Sequence, residues 1–150
     1  MPTWPDGPAT LTVGRDPAPL PLPLEVASSF ARRSRGLLGR DGLPGALLLT
    51  PAQGVHTLGM RFAIDVAYLD RRLTVLAVRT MPPGRVGRPR LRARHVLEAE
   101  AGAFARWGIR PGVRVAVAVG AAAAAEPDPQ GEAEERGKRE EREGREGRAE

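Results

Sequence analysis

The chain has 150 residues, no cysteine, and 23 Lys/Arg against 18 Asp/Glu, for a net charge of +5. One ordinary domain fits that length, the lack of cysteine excludes disulfides, thiolate metal sites and cysteine nucleophiles, and no apolar run approaches the ~20 residues that cross a bilayer. The charge is uneven: residues 121–150 hold ten acids and six bases, leaving +9 on residues 1–120, where every base is arginine.

Taken in chain order, residues 1–8 are proline-rich and carry neither the basic nor the apolar region of a secretory leader. They read as a flexible N-terminus of a cytoplasmic protein. Thr10-Leu11-Thr12-Val13 reads as a short strand. Pro17, Pro19, Pro21 and Pro23 then fall at every second position, which suits an extended edge or connection and not a central strand. Residues 24–26 read as a second strand, and Ala27-Ser28-Ser29 supplies an N-cap for the main helix, about 28–39. In that helix Phe30, Ala31, Ser34, Leu37 and Leu38 would share the inward face and Arg32, Arg33 and Arg35 the outer one. Ala46-Leu47-Leu48-Leu49 is a buried strand by length.

From Phe62 the pattern is extended, with Phe62, Ile64, Val66 and Tyr68 on one face and Ala63, Asp65, Ala67 and Leu69 on the other. Asp70-Arg71-Arg72 turns the chain, and residues 73–80 return as the second arm of a hairpin. A Pro/Gly/Arg loop runs to Arg94, before a short strand at Val96-Leu97-Glu98. A second short helix occupies about 102–107, and Val113, Val115, Val117 and Val119 alternate with small or polar residues as a last strand. Residues 121–150 lack an apolar stripe. Their glycines cost about 1 kcal/mol each in a helix, against ~0.3–0.5 returned per i,i+4 ion pair, so the charged tail is expected to be disordered. The expected organisation is a loose segment 1–8, one domain at 9–120 and the tail. The fold class is α+β: a mostly antiparallel, partly barrel-like sheet of short strands with one main and one short helix.

The helix segment Ala31-Arg32-Arg33-Ser34-Arg35-Gly36-Leu37-Leu38-Gly39-Arg40 and the stretch His56-Thr57-Leu58-Gly59-Met60-Arg61-Phe62-Ala63-Ile64-Asp65-Val66 precede three further blocks: Leu69-Asp70, Val96-Leu97-Glu98 with Ala101-Gly102, and Gly108-Ile109-Arg110-Pro111-Gly112. In this order and spacing the chain resembles domain-of-unknown-function family 192, also called uncharacterised protein family 0127. The resemblance implies a small, partly barrel-like α+β domain and no assigned activity. Ala63 stands where members usually carry Pro, and Val113 where an Asp is common, which weakens any carboxylate chemistry at that last turn.

Polar groups inside an apolar run need partners or a task, and residues 55–70 are such a run. Asp65 is either a structural acid, held by loop N–H groups or by Arg61, or a pocket acid with a raised pKa. The favoured reading is a non-enzymatic, monomeric module that binds a small anionic ligand or a protein partner. Its polar pocket would be made by His56, Thr57, Met60, Arg61, Asp65 and Glu98, with Arg61 facing the anion. An alternative is a hydrolase in which Asp65 orients His56 as general base. A third is polyanion or RNA binding through Arg85, Arg88, Arg90, Arg92 and Arg94, although six aromatic residues in the chain make no stacking platform. His56, His95, Asp65 and Glu98 show no metal-ligand spacing, and neither phosphate-loop glycine motif occurs, so no metal or cofactor is expected.

Overall fold

The short apolar runs and alternating segments become seven strands: β1 (Gly7–Val13), β2 (Leu22–Ala27), β3 (Ala46–Leu49), β4 (Ile64–Leu69), β5 (Val75–Met81), β6 (His95–Glu100) and β7 (Val115–Val119). Helix α1 (Phe30–Arg35) lies between β2 and β3, and α2 (Ala103–Trp107) between β6 and β7. The computed structural model describes residues 4–14, 19 and 21–119; the tail read as disordered lies outside them.

The strands form one sheet in the order β5-β4-β6-β3-β2-β1-β7. Neighbours pair antiparallel except β2 and β3, whose parallel pairing needs the long connection through α1. The sheet curls until its edges touch at one end. Val75 N donates to Val113 O (2.8 Å), Gly112 N to Val75 O (2.8 Å) and Val115 N to Leu73 O (3.0 Å). The result is an α+β half-barrel.

Because the sheet is covered on both sides, alternation along its strands separates two cores. The inner core draws Leu11, Leu24, Leu48, Leu69, Val75, Leu97 and Val115 from all seven strands and is plugged by Phe104 of α2. The outer core lies on β3, β4, β5 and β6 and is roofed by Leu37, Leu43, Val55 and Met60 from the connections. All six residues of β4 are buried for this reason. Filling each site with a side chain such as Leu97 or Phe104 contributes about 1.5–3 kcal/mol.

The structure departs from the sequence reading in three places. The main helix is only Phe30–Arg35, capped by the Ser29 hydroxyl as the composition suggested. It stops at Gly36, whose φ of 47° breaks the helical path, so Leu37 reaches the outer core from a turn instead. Phe30, placed on the inward face by helical spacing, is 79 % exposed. β1 starts at Gly7, inside the segment read as loose, and Trp4 packs against the inner core. Asp6 accepts hydrogen bonds from Ser28 N (2.6 Å) and Ser29 N (3.0 Å); the Ser29 side chain first, then these two N–H groups, hold its carboxyl down at about 2. Finally, Pro23 lies within β2 opposite Thr10 of β1. The parallel ladder to β3 begins one residue later, at Leu24 and Ala46, so Pro23 sits where β2 has one partner strand and not two.

Candidate functional site

Asp65 and Glu98 are the two fully enclosed acids of the sheet, and alternation sends them to opposite faces. Val66 of β4 pairs with Glu98 of β6, and Asp65 with Ala99. Asp65 faces the inner side with Ala67 and Leu69, at the end plugged by α2. The N-cap of α2 is Gly102 in the left-handed region (φ 91°), which has no side chain to cap the helix. Asp65 does so from the neighbouring strand: Oδ2 accepts from Gly102 N (2.9 Å) and Phe104 N (3.2 Å), and Oδ1 from Thr80 Oγ1 (2.7 Å). Its donors are N–H groups of the α2 N-terminus and a hydroxyl, not Arg61. Asp65 is an anchor.

Glu98 points to the outer face between Leu47 of β3 and Val66 of β4. It is 3 % exposed, and burial is the one influence on its carboxyl, with no hydrogen-bonding or charged partner among the described residues. Burial in apolar surroundings therefore pushes its carboxyl up to about 7. It forms part of the wall of a cavity of about 90 Å³ whose apolar lining includes Leu37, Val55 and Met60, with Arg33 and His56 beside them. Arg33 donates from Nη1 to Pro51 O (2.8 Å) while its Nε is buried without a partner. The exposed His56 accepts from Leu58 N at Nδ1 (3.3 Å), which places the proton of the neutral ring on Nε2. A carboxyl that titrates near neutrality, an unused guanidinium N–H and an imidazole thus share one small apolar chamber. Such a chamber can accept from, or donate to, a polar group that brings its own apolar stem.

Of the six residues read from the sequence as one pocket, the structure brings together His56, Met60 and Glu98. Thr57 is buried beneath the neighbouring loop, where its hydroxyl donates to Pro82 O (2.7 Å) and accepts from Arg85 N (2.9 Å). Arg61 lies on the surface in an ion pair with Asp41 (3.1 Å) and does not line this chamber. Asp65, with all its bonds on the inner side, is not joined to His56, so the general-base pair is not formed. Sequence reasoning missed Arg33 because helical spacing put it on the solvent face, and a six-residue helix turns that face toward residues 51–56.

The arginines of 85–94 also divide. Arg85, Arg88 and Arg90 line an open basin together with Arg79 of β5 and Tyr68 of β4. Arg92 is absent from its lining, and Arg94 donates to Leu91 O (2.9 Å) and Ala93 O (3.1 Å) of its own loop. His95 is fully buried on the inner side, with Nδ1 2.8 Å from Thr50 Oγ1 and the Trp4 ring edge-on at 5.3 Å; burial lowers its pKa. Among the described residues no three His, Asp or Glu side chains are grouped so as to hold a metal ion, and no helix is long and apolar enough to cross a membrane.

These features define a class: an α+β half-barrel with a closed inner core and a small acid-lined chamber under the loops of its outer face. Residues 11–117 match the family described as Uncharacterized ACR, domain-of-unknown-function family 192, and the chain belongs to that family. It is 30% identical over 84 residues to a UPF0127 protein of Pyrococcus horikoshii, an alignment covering 53% of this chain and 73% of the relative. A UPF0127 protein of Pyrococcus abyssi is likewise 30% identical over 84 residues, covering 53% and 72%. Among solved structures, a Sinorhizobium meliloti protein provisionally assigned as a transcription regulator superposes with a TM-score of 0.65 at 18% identity, over 77% of this chain and 98% of that one. A protein of unknown function from Novosphingobium aromaticivorans gives 0.56 at 20% identity, over 73% and 84%. Both share the fold.

Proposed function

We propose that this protein is a non-enzymatic binding module whose outer-face chamber takes the amine-bearing end of a small molecule or peptide side chain. The observation that carries this reading is Glu98, a buried carboxyl that has no donor among the described residues and borders a cavity. Leaving such a group unsatisfied costs about 1–3 kcal/mol, more when it is charged, and a ligand N–H group would recover that cost. The volume of about 90 Å³ suits a terminal group with a short apolar stem, well below the several hundred Å³ of a cofactor site. With Arg61 tied to Asp41, the charged groups in the wall of this chamber are Glu98, Arg33 and Arg35, and Glu98, the buried one, is the group that would recognise the amine. A monomeric, cytoplasmic protein accords with this role.

The test is a titration with propylammonium chloride followed by NMR at the Met60 methyl group. With so few heavy atoms the affinity is expected in the millimolar range, about 4 kcal/mol. It should strengthen as pH rises from about 5.5 to 8, because the cation binds the ionised carboxylate. Glu98→Gln should abolish it. A saturable shift that is unchanged in Glu98→Gln, or no shift in the native protein at pH 8, would overturn the reading.

A further inference from the structure

We propose that the basin between β5 and residues 82–90 is a second, independent site, and that it binds a small oligophosphate. Its cavity of about 680 Å³ is lined by Tyr68, Arg79, Met81, Arg85, Arg88 and Arg90 among others, with no carboxylate in the wall. The two ion pairs found among the described residues, Arg40–Glu25 and Arg61–Asp41, involve none of these four arginines. Four arginines in one basin, without a paired acid among the described residues, give it a positive potential that a multiply charged anion complements. Phosphate oxygens match the planar fork of arginine, which can bind them bidentately.

The basin is preorganised. A proline-, glycine- and arginine-rich loop reads in sequence as a solvated connection, yet its backbone is fastened to residues 53–57. Thr57 N donates to Arg85 O (2.7 Å), Gly87 N to Val55 O (2.8 Å) and Arg90 N to Gln53 O (2.8 Å). The buried Thr57 hydroxyl adds its two bonds, to Pro82 O and from Arg85 N. The Arg90 guanidinium lies 5.1 Å from the centre of the Tyr68 ring. Stacking of this kind holds the plane while leaving its edge donors for a ligand. Gly87 allows the loop to close on Tyr68, because a Cβ there would lie 2.8 Å from the phenol oxygen and 3.1 Å from Val55 O. Fixing the loop before binding removes much of the ordering cost that a flexible cationic segment would incur.

Size and composition select the ligand class. The volume falls in the range of small-molecule sites, about 300–1,000 Å³. Tyr68 is the chain's single tyrosine, and no row of aromatic side chains follows it to stack successive bases. A compact chain of phosphates is therefore favoured over a nucleic-acid strand.

The experiment is calorimetric titration of the full chain with inorganic tripolyphosphate, with a single-stranded 20-nucleotide RNA as competitor. Saturable binding is expected. Arg88→Gln should weaken it about tenfold, the value of one phosphate contact of roughly 1.4 kcal/mol. Arg92→Gln, outside the basin, should leave it within about twofold. Both positions are exposed, so thermal melting should be unchanged in either variant. Equal losses in the two variants would replace the basin with diffuse charge. RNA binding tighter than tripolyphosphate, with a steep salt dependence, would make the surface a nucleic-acid interface instead. Absence of saturation would leave no site.

Discussion

Asp65 and Glu98 sit on adjacent strands, are 4 % and 3 % exposed, and differ in what surrounds them. The inner-face acid has three donors within 3.2 Å and closes a helix terminus. The outer-face acid has none among the described residues and borders a cavity. Burial alone therefore does not distinguish the two acids; the presence or absence of donors does. A satisfied carboxylate holds the fold together, whereas an unsatisfied one lowers stability and needs some other reason to be there.

Substitution can break this contrast. Asp65→Ala should have the largest effect, a loss of about 3–5 kcal/mol in urea unfolding, because it removes three hydrogen bonds to a carboxylate and leaves the buried Phe104 N–H without its acceptor. A loss below about 1 kcal/mol would remove Asp65 from its anchoring role.

Glu98 should act in the opposite sense and through pH. Its folded-state pKa of about 7, against an ordinary value of 4.5, means that the folded protein retains a proton the unfolded chain gives up. The resulting stability is fully present below pH 4.5 and is lost as pH rises through about 7, a total of about 3 kcal/mol. Glu98→Gln should lack this fall, so the variant gains on the native protein between pH 5 and 8. His95 works the other way: with its folded pKa depressed, its contribution is present above about 6.5 and lost as pH falls toward the folded value. It is common to both proteins and cancels in their difference. Parallel stability–pH curves would show that Glu98 is not desolvated.

The smallest effect sharpens the comparison from outside. Glu25, unlike either, has a cationic partner, Arg40 at 2.7 Å, but the two side chains are 46 % and 35 % exposed. Arg40→Met should cost under about 1 kcal/mol in the same unfolding assay, less still in high salt. A cost matching that of Asp65→Ala would show that having a partner matters regardless of burial.

Most of the fold was legible because its signals are local. The alternation in β4 and β7, the apolar run of β3 and the short helix α2 each depend on a few consecutive residues. The two faces of β4 were read correctly, including the placement of Asp65 opposite Val66. The site was less legible because it depends on where connections fall. Phe30 and Arg33 were assigned faces on a helix expected to continue past Gly36, and the early stop changes what each meets. Arg79 joins Arg85, Arg88 and Arg90 only through the β4–β5 register and the fastening of the loop by Thr57. No spacing in the sequence links them. Glu98 was named as a site residue, but its lack of donors belongs to the assembled outer face and to no single segment.

The order of the strands also governs how the chain must come together. β1 is held between β2 and β7, the pairing of Leu11 with Val117 spanning nearly the whole described chain. During synthesis the hairpin of β1 and β2 therefore emerges with a bare hydrogen-bonding edge, which stays open until the last strand leaves the ribosome. Such distant pairing makes final closure slow relative to the local hairpin of β4 and β5. The nascent chain is thus exposed to mispairing at β1, and β7, once released, completes that edge.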